Sequence, residues 1–167
     1  MGKCGEYSLY NEKAADGKVM AGLKGQATYA VDAKGRAAIP AKMRATLAPE
    51  DNNTFTVTRG FETCIFAYPL NTWRQMEREI GALSGYDREA RTFTRLFMMW
   101  AEEVSLDGQG RIVLPKQLVS YAGIKDRVLI LGAYDHIEIW APESFSEYLA
   151  AQESDYETLA ARVMGGQ

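Results

Sequence analysis

Ten residues near the start of the chain, Val31-Asp32-Ala33-Lys34-Gly35-Arg36-Ala37-Ala38-Ile39-Pro40, return in altered form as Leu106-Asp107-Gly108-Gln109-Gly110-Arg111-Ile112-Val113-Leu114-Pro115. The aspartates, the glycines that precede the arginines, the arginines themselves and the prolines all keep an offset of 75 positions. A repeat of this kind points to a duplicated structural unit. Its residue types recur together for physical reasons. An aspartate accepts backbone N–H bonds two residues on, and glycine reaches positive φ without steric cost, so Asp-x-x-Gly between apolar runs reverses a strand. The arginine opens the return strand, three apolar residues continue it, and the proline stops it and can start a helix. Each unit therefore reads as strand, turn, strand, short helix.

The segments after each motif repeat as well. Phe55 and Val57 alternate with Thr54, Thr56 and Thr58, the period of a half-buried strand, and Gly60 turns the chain into a second strand over Cys64 to Tyr68. Val128 to Leu131 and Ile137 to Trp140 repeat that pair, which aligns Gly132 with Gly60 and Pro142 with Pro69. The first strand is expected over Thr28 to Asp32. A helix from Pro40 to Pro49 is expected to turn Met43 and Leu47 inward and leave Lys42 and Arg44 in solvent. Pro69 opens a longer helix with Leu70, Trp73, Met76, Ile80 and Leu83 on one face. Asp87 caps the next, which carries Ala90, Phe93, Leu96 and Phe97 inward and Arg88, Arg91 and Arg95 outward. Those arginines fit either a solvated, salt-bridged face or a stripe that meets DNA or another subunit. In the second unit Gly123 and Ile124 end a helix bearing Leu118 and Ala122 in a Schellman-type stop. Phe145, Tyr148 and Leu149 mark a further helix, and Ser154-Asp155-Tyr156-Glu157 reads as a capping box that restarts it, with Tyr156, Leu159 and Val163 as an apolar edge.

Composition narrows the function. A hydrophobic fraction of 47% over 167 residues suits a packed core. No apolar run approaches a membrane span, and the N-terminus has no apolar signal region. Position 6 is Glu, which disfavours myristoylation after Met1-Gly2. Two distant cysteines, Cys4 and Cys64, and the lone His136 lack the spacing of a metal site. Cys64, in an apolar run, reads as a structural thiol, and His136 beside Glu138 as a structural histidine. No paired nucleophile and base is visible, so an enzyme is not expected, and neither is a cofactor or small-molecule substrate. A formal charge of −3 argues against coating nucleic acid by bulk charge, but the charge is unevenly spread. From Lys24 to Arg44 there are five cations and one acid, whereas from Pro142 onward there are five acids and one cation. Such a dipolar molecule can offer a basic face to DNA while remaining acidic overall.

With both motifs placed, the chain resembles the MraZ family of bacterial transcription regulators over about Leu23 to Leu149. The resemblance rests on Asp32-Ala33-Lys34-Gly35-Arg36 and Asp107-Gly108-Gln109-Gly110-Arg111, backed by Ile39-Pro40-Ala41-Lys42-Met43-Arg44 and Tyr121-Ala122-Gly123. It implies an α+β fold of two β-hairpin–helix units sharing a pseudo-two-fold swapped-hairpin barrel, as in AbrB-like DNA-binding proteins. It also implies a ring of subunits in the cytoplasm, associated with the nucleoid. The ring would bind direct repeats of double-stranded DNA in its own promoter, within the division and cell-wall gene cluster. The domains expected are a leader over 1–22, a first unit over 23–86 and a second over 87–167. The candidate DNA-binding residues are Asp32, Lys34, Gly35, Arg36, Lys42, Arg44, Asp107, Gln109, Gly110, Arg111 and Lys116. An arginine at such a turn can set its planar fork against phosphate or the O6 and N7 edge of guanine, while the glycine lets a backbone approach closely. Each Asp–Arg pair can equally brace its own turn. Two departures from the family stand out: the leader is long, and Gln109 replaces the lysine of the first turn. A second reading is an antitoxin-like or scaffold protein that holds a partner on the acidic C-terminal helix.

Overall fold

The computed structural model describes residues 22–165; the leader expected over 1–22 therefore lies outside the described residues except for Gly22, as does Cys4. In chain order come β1 (Gln26–Ala30), β2 (Arg36–Ala38), α1 (Ala41–Arg44), a 3-10 turn (Pro49–Asp51), β3 (Thr54–Arg59), β4 (Ile65–Pro69), α2 (Leu70–Gly81) and α3 (Arg88–Met98). They are followed by β5 (Glu102–Ser105), β6 (Arg111–Val113), α4 (Lys116–Tyr121), β7 (Arg127–Gly132), β8 (Ile137–Trp140), α5 (Pro142–Ala150) and α6 (Tyr156–Met164). The fold is mixed α+β with antiparallel pairing throughout, and none of the described helices is long and apolar enough to cross a membrane.

Six strands form one sheet in the order β1-β7-β8-β4-β3-β5, and β2 pairs with β6 in a second. Exchanging the two units leaves this order unchanged. Each unit's first strand pairs with the other unit, β1 with β7 and β5 with β3, so the two units interlock. Symmetry-related residues meet across the axis: Ala37 faces Ile112, and Phe66 faces Glu138. A lone strand–turn–strand–helix unit has too little interior to bury; lacing two together encloses Ile39, Phe55, Val57, Ile65, Ile112, Leu118, Val128, Ile130, Ile137 and Ile139 in one core.

The pairings revise the alignment of the two units. Thr28 meets Leu129 while its counterpart Glu103 meets Thr56, so Gly132 corresponds to Arg59, and Ala133 to Gly60. The matching turn bonds agree, from Gly60 N–H to the Cys64 carbonyl and from Ala133 N–H to that of His136. By the same register Ala141 corresponds to Pro69, each standing just before its helix. His136 and Cys64 are thus symmetry mates.

Other elements differ from expectation for identifiable reasons. Strand β1 ends at Ala30, leaving Asp32 to the turn. Helix α1 is a single turn, although Leu47 still packs on the core. Thr54, Thr56 and Thr58 are buried, not solvated, because the sheet's outer face is covered too. A second cluster there contains Cys64, Phe66, Tyr68, Trp73, Phe97, Leu129 and Trp140, and the Thr58 hydroxyl donates to the Phe97 carbonyl at 3.1 Å, tying β3 to α3. Asp87 caps α3 as expected, but only Phe97 of its apolar stripe is fully buried; Phe93 and Leu96 are exposed. Helix α6 is capped by Asp155, which accepts from Thr158 N–H, rather than by Ser154. Its apolar edge lies in solvent.

Candidate nucleic-acid interface

The two motif turns are built alike. Asp32 Oδ1 accepts from the N–H groups of Lys34 and Arg36, both at 2.9 Å, and Asp107 Oδ1 accepts from those of Gln109 and Arg111 at 2.9 and 3.0 Å. Gly35 and Gly110 both hold φ at +74°, a region that a side chain strains. Each aspartate's second oxygen binds Nε of its own arginine, at 2.7 Å in the first turn and 2.8 Å in the second. The carboxyl of Asp32 is held below its ordinary range, first by the N–H of Arg36 and then by that residue's guanidinium. Asp107 is lowered in the same way, first by the N–H of Arg111.

Internal symmetry sets these turns side by side. Arg36 Nη1 lies 3.7 Å from Asp107 Oδ2, and Arg111 Nη1 lies 3.7 Å from Asp32 Oδ2. Reciprocal backbone bonds, from Ile39 N–H to Gly110 O and from Leu114 N–H to Gly35 O, lock each turn to the other unit's return strand. Bracing is therefore realised. Two arginines and two aspartates sum to no net charge, and Nε of each arginine is already engaged, so any readout by Arg36 or Arg111 must use the Nη edge.

Positive charge at the face comes from its surroundings. Lys34 and Gln109 occupy exposed turn tips. Lys42 on α1 and Lys116 on α4 are exposed, and among the described residues their side chains make no hydrogen bond or ion pair. Arg44 is not in open solvent as expected: it is half-buried, its Nε donates to Ile39 O at 3.0 Å, and its guanidinium lies over Gly110, where an added Cβ would come within 2.6 Å of it. Gly110 is therefore covered, and only the first turn leaves its glycine partly open. A cavity of about 430 Å³ opens beside the second turn between Arg44, Asn53 and Asp107. Asn53 escaped the sequence reading. Its φ of +50° gives a turn signal, but its approach to a motif 54 residues away has no sequence mark.

The buried His136 and Cys64 serve structure. His136 Nδ1 is 2.7 Å from Asp135 Oδ1, Nε2 is 3.5 Å from Glu138 Oε1, and the ring lies between Phe66 and Tyr68. Burial opposes its charge, but Asp135 and Glu138 outweigh burial and push its pKa up to about 9. Burial pushes the Cys64 thiol far up, aided by the charges of Glu138 and Glu62, which leaves it un-ionised at neutral pH.

Two interlaced strand–turn–strand units whose paired acidic–basic turns share one surface define a class of protein: a duplicated, internally symmetric α+β protein with a braced polar face. Comparison with known proteins narrows the class. A family model described as "MraZ protein, putative antitoxin-like" matches the chain twice, over 23–96 and 97–165. Proteins named transcriptional regulator MraZ are similar over nearly their whole length. The one from Natranaerobius thermophilus is 40% identical over 84% of this chain and 95% of its own. Those from Halothermothrix orenii and Clostridium beijerinckii are 38% and 37% identical over 82% and 83% of this chain and 93% and 94% of theirs. The chain belongs to the MraZ family.

Proposed function

We propose that the chain is a transcription regulator whose twin turns, with the starts of α1 and α4, form one face that grips double-stranded DNA. The strand exchange between units is read as the swapped-hairpin barrel of AbrB-like proteins, with the units divided near residue 86. In this reading Lys34, Lys42, Arg44 and Lys116 meet phosphate, Gln109 and the Nη edges of Arg36 and Arg111 meet base edges, and the Asp–Arg quartet with Gly35 and Gly110 holds the two turns at fixed separation. The observation that carries it is the reciprocal approach of Arg36 to Asp107 and of Arg111 to Asp32, which gives two reading turns one common surface. The names of the relatives support regulation of transcription rather than catalysis.

The target proposed is a set of direct repeats upstream of the protein's own gene, in the division and cell-wall cluster. It is bound by a ring of subunits in the cytoplasm, at the nucleoid. A ring presents many turn pairs, so weak contacts add as avidity where repeat spacing matches subunit spacing. A gel-shift titration against that upstream DNA tests the reading. Arg36→Ala should lower affinity by about 1 to 3 kcal/mol per engaged site while the protein stays folded. Altering the spacer while keeping each repeat intact should weaken binding sharply. Unchanged affinity in a folded Arg36→Ala protein would remove the role given to that residue, and indifference to the spacer would remove the multivalent account. The acidic C-terminal segment from Pro142 onward also suits a partner-holding, antitoxin-like role; a second protein captured in stoichiometric amount would favour that reading.

A further inference from the structure

The cavity beside the second turn is lined by residues whose counterparts beside the first turn are chemically different. Leu106 N–H donates to Asn53 O as Val31 N–H donates to Asp126 O, so Asn53 of the lining corresponds to Asp126. By the offset of the motif, Arg44 corresponds to Val119, Ala41 to Lys116 and Gly108 to Ala33. Lys116 and Lys125 bring charge to the first-turn side, but neither offers a planar fork, and the exposed Asp126 opposes them.

The lining of the second-turn cavity is rich in unused donors. Arg44 Nε is held by Ile39 O at 3.0 Å, which fixes the guanidinium, while its two Nη atoms make no hydrogen bond or ion pair among the described residues. The exposed side-chain amide of Asn53 has no partner among the described residues either. Nor does the N–H of Gly108, which has no side chain to hold a ligand away. The acid in the lining, Asp107, has its oxygens taken by its own turn and by Arg111. A fixed fork, an amide and a backbone N–H together suit an oxyanion with several acceptor oxygens. A volume of about 430 Å³ exceeds that of such an anion alone and leaves room for the sugars that a phosphodiester carries.

We infer that this cavity is a binding site for one phosphate group, held by Arg44, Asn53 and Gly108, and that in the DNA complex a backbone phosphate beside the bases met by the second turn fills it. The inference rests on the DNA reading above and adds Asn53 and a direction to it. A grip on one side only gives the pseudo-symmetric face a polarity along the duplex, so each subunit lies one way round on its repeat.

Asn53→Asp tests it, because it installs the residue that the other half carries. The side chain has no hydrogen bond to lose, and aspartate tolerates the left-handed φ of +50°. Matching thermal melts confirm folding. The full-length wild type and variant are titrated with upstream duplexes in which an uncharged methylphosphonate replaces one phosphate at the same position of every repeat. In the wild type one position, on one flank of the repeat, should cost about tenfold in affinity beyond the others. Asn53→Asp should bind the unmodified duplex about tenfold more weakly, with a salt slope shallower by about 1, and should lose nothing further at that position. Thermal melts with inorganic pyrophosphate, without DNA, distinguish the other source. Stabilisation of the wild type but not of the variant, with no methylphosphonate position singled out, would keep the phosphate site and assign it to a free phosphorylated solute. A folded variant that matches the wild type in affinity, slope and pyrophosphate response would overturn the inference and leave the DNA reading standing. So would a variant that loses as much as the wild type at the singled-out position, since that phosphate would then lie elsewhere. Failure of the wild type to bind the upstream DNA at low salt would overturn the DNA reading, and the pyrophosphate melts would decide the site by themselves.

Discussion

The two halves of the molecule share a skeleton and differ in what they hang on it. Asp32 and Asp107 accept equivalent bonds within a tenth of an ångström, Gly35 and Gly110 hold the same φ, and Met43 and Leu118 fill matching places in the core. Around that skeleton the halves diverge. Lys34 becomes Gln109, Lys42 becomes Gln117, Arg44 becomes Val119, and Ala41 becomes Lys116. The helix exits differ too. The first half uses a 3-10 turn pinned by buried Asp51, whose carboxylate accepts from Ala48 and Asn71 N–H, where the second uses the left-handed Gly123. The repeated residues hold the turns and the unrepeated ones give each turn its own chemistry, so a symmetric frame presents an asymmetric surface.

The strongest challenge to that symmetry is in the core. Met43→Ala and Leu118→Ala should each lower stability by about 2 to 5 kcal/mol in denaturant titration, since both side chains are buried in the same cluster. A large loss in one half alone would mean that the halves do not share a single cooperative core. Next come the symmetry mates Cys64 and His136. His136→Gln should cost about 1.5 to 3 kcal/mol at neutral pH by breaking the charged hydrogen bond to Asp135 and the ion pair with Glu138, whereas Cys64→Ser should show no ionisation effect there. The pH dependence follows from the raised histidine pKa. Its stabilisation is fully present below the unfolded value of 6.5 and is lost as pH rises through about 9. Thermal melts between pH 6 and 10 should therefore decline in the wild type and flatten in His136→Gln.

A smaller effect separates the turn glycines. Gly35→Ala and Gly110→Ala should each cost about 1 to 2 kcal/mol for the left-handed backbone. Only Gly110→Ala should also displace Arg44, and so lower DNA affinity beyond any loss of fold. Exchanging the tips has the least effect on stability. Lys34→Gln should reduce the salt slope of DNA binding by about 1 and Gln109→Lys should raise it by a similar amount.

Much of this plan is legible in the amino-acid sequence. The repeat, the turns at Asp32 and Asp107, the strand pairs and the cap at Asp87 all rest on local chemistry that a decapeptide or a single helix carries by itself. The location of the two arginines was legible only through symmetry, because nothing local states that Arg36 approaches Asp107. Burial of Thr54, Thr56 and Thr58 is not legible in the sequence, because alternation identifies two faces of a strand and not what covers the second. Gly132 and Gly60 look equivalent because both are glycines near a strand turn, whereas the hydrogen-bond register that makes Arg59 the counterpart of Gly132 leaves no mark in the sequence. Helical spacing alone turns Arg44 toward solvent, yet its reach to Gly110 crosses between units and depends on how β2 and β6 pair.

The central claim is tested most directly by the salt dependence of binding to the upstream DNA, measured for the wild type and for the folded double variant Lys34→Ala/Lys42→Ala. The account predicts a linear fall of log affinity with log salt in the wild type and a slope shallower by about 2 in the variant. Equal slopes for the two proteins, or no binding by the wild type at low salt, would contradict it.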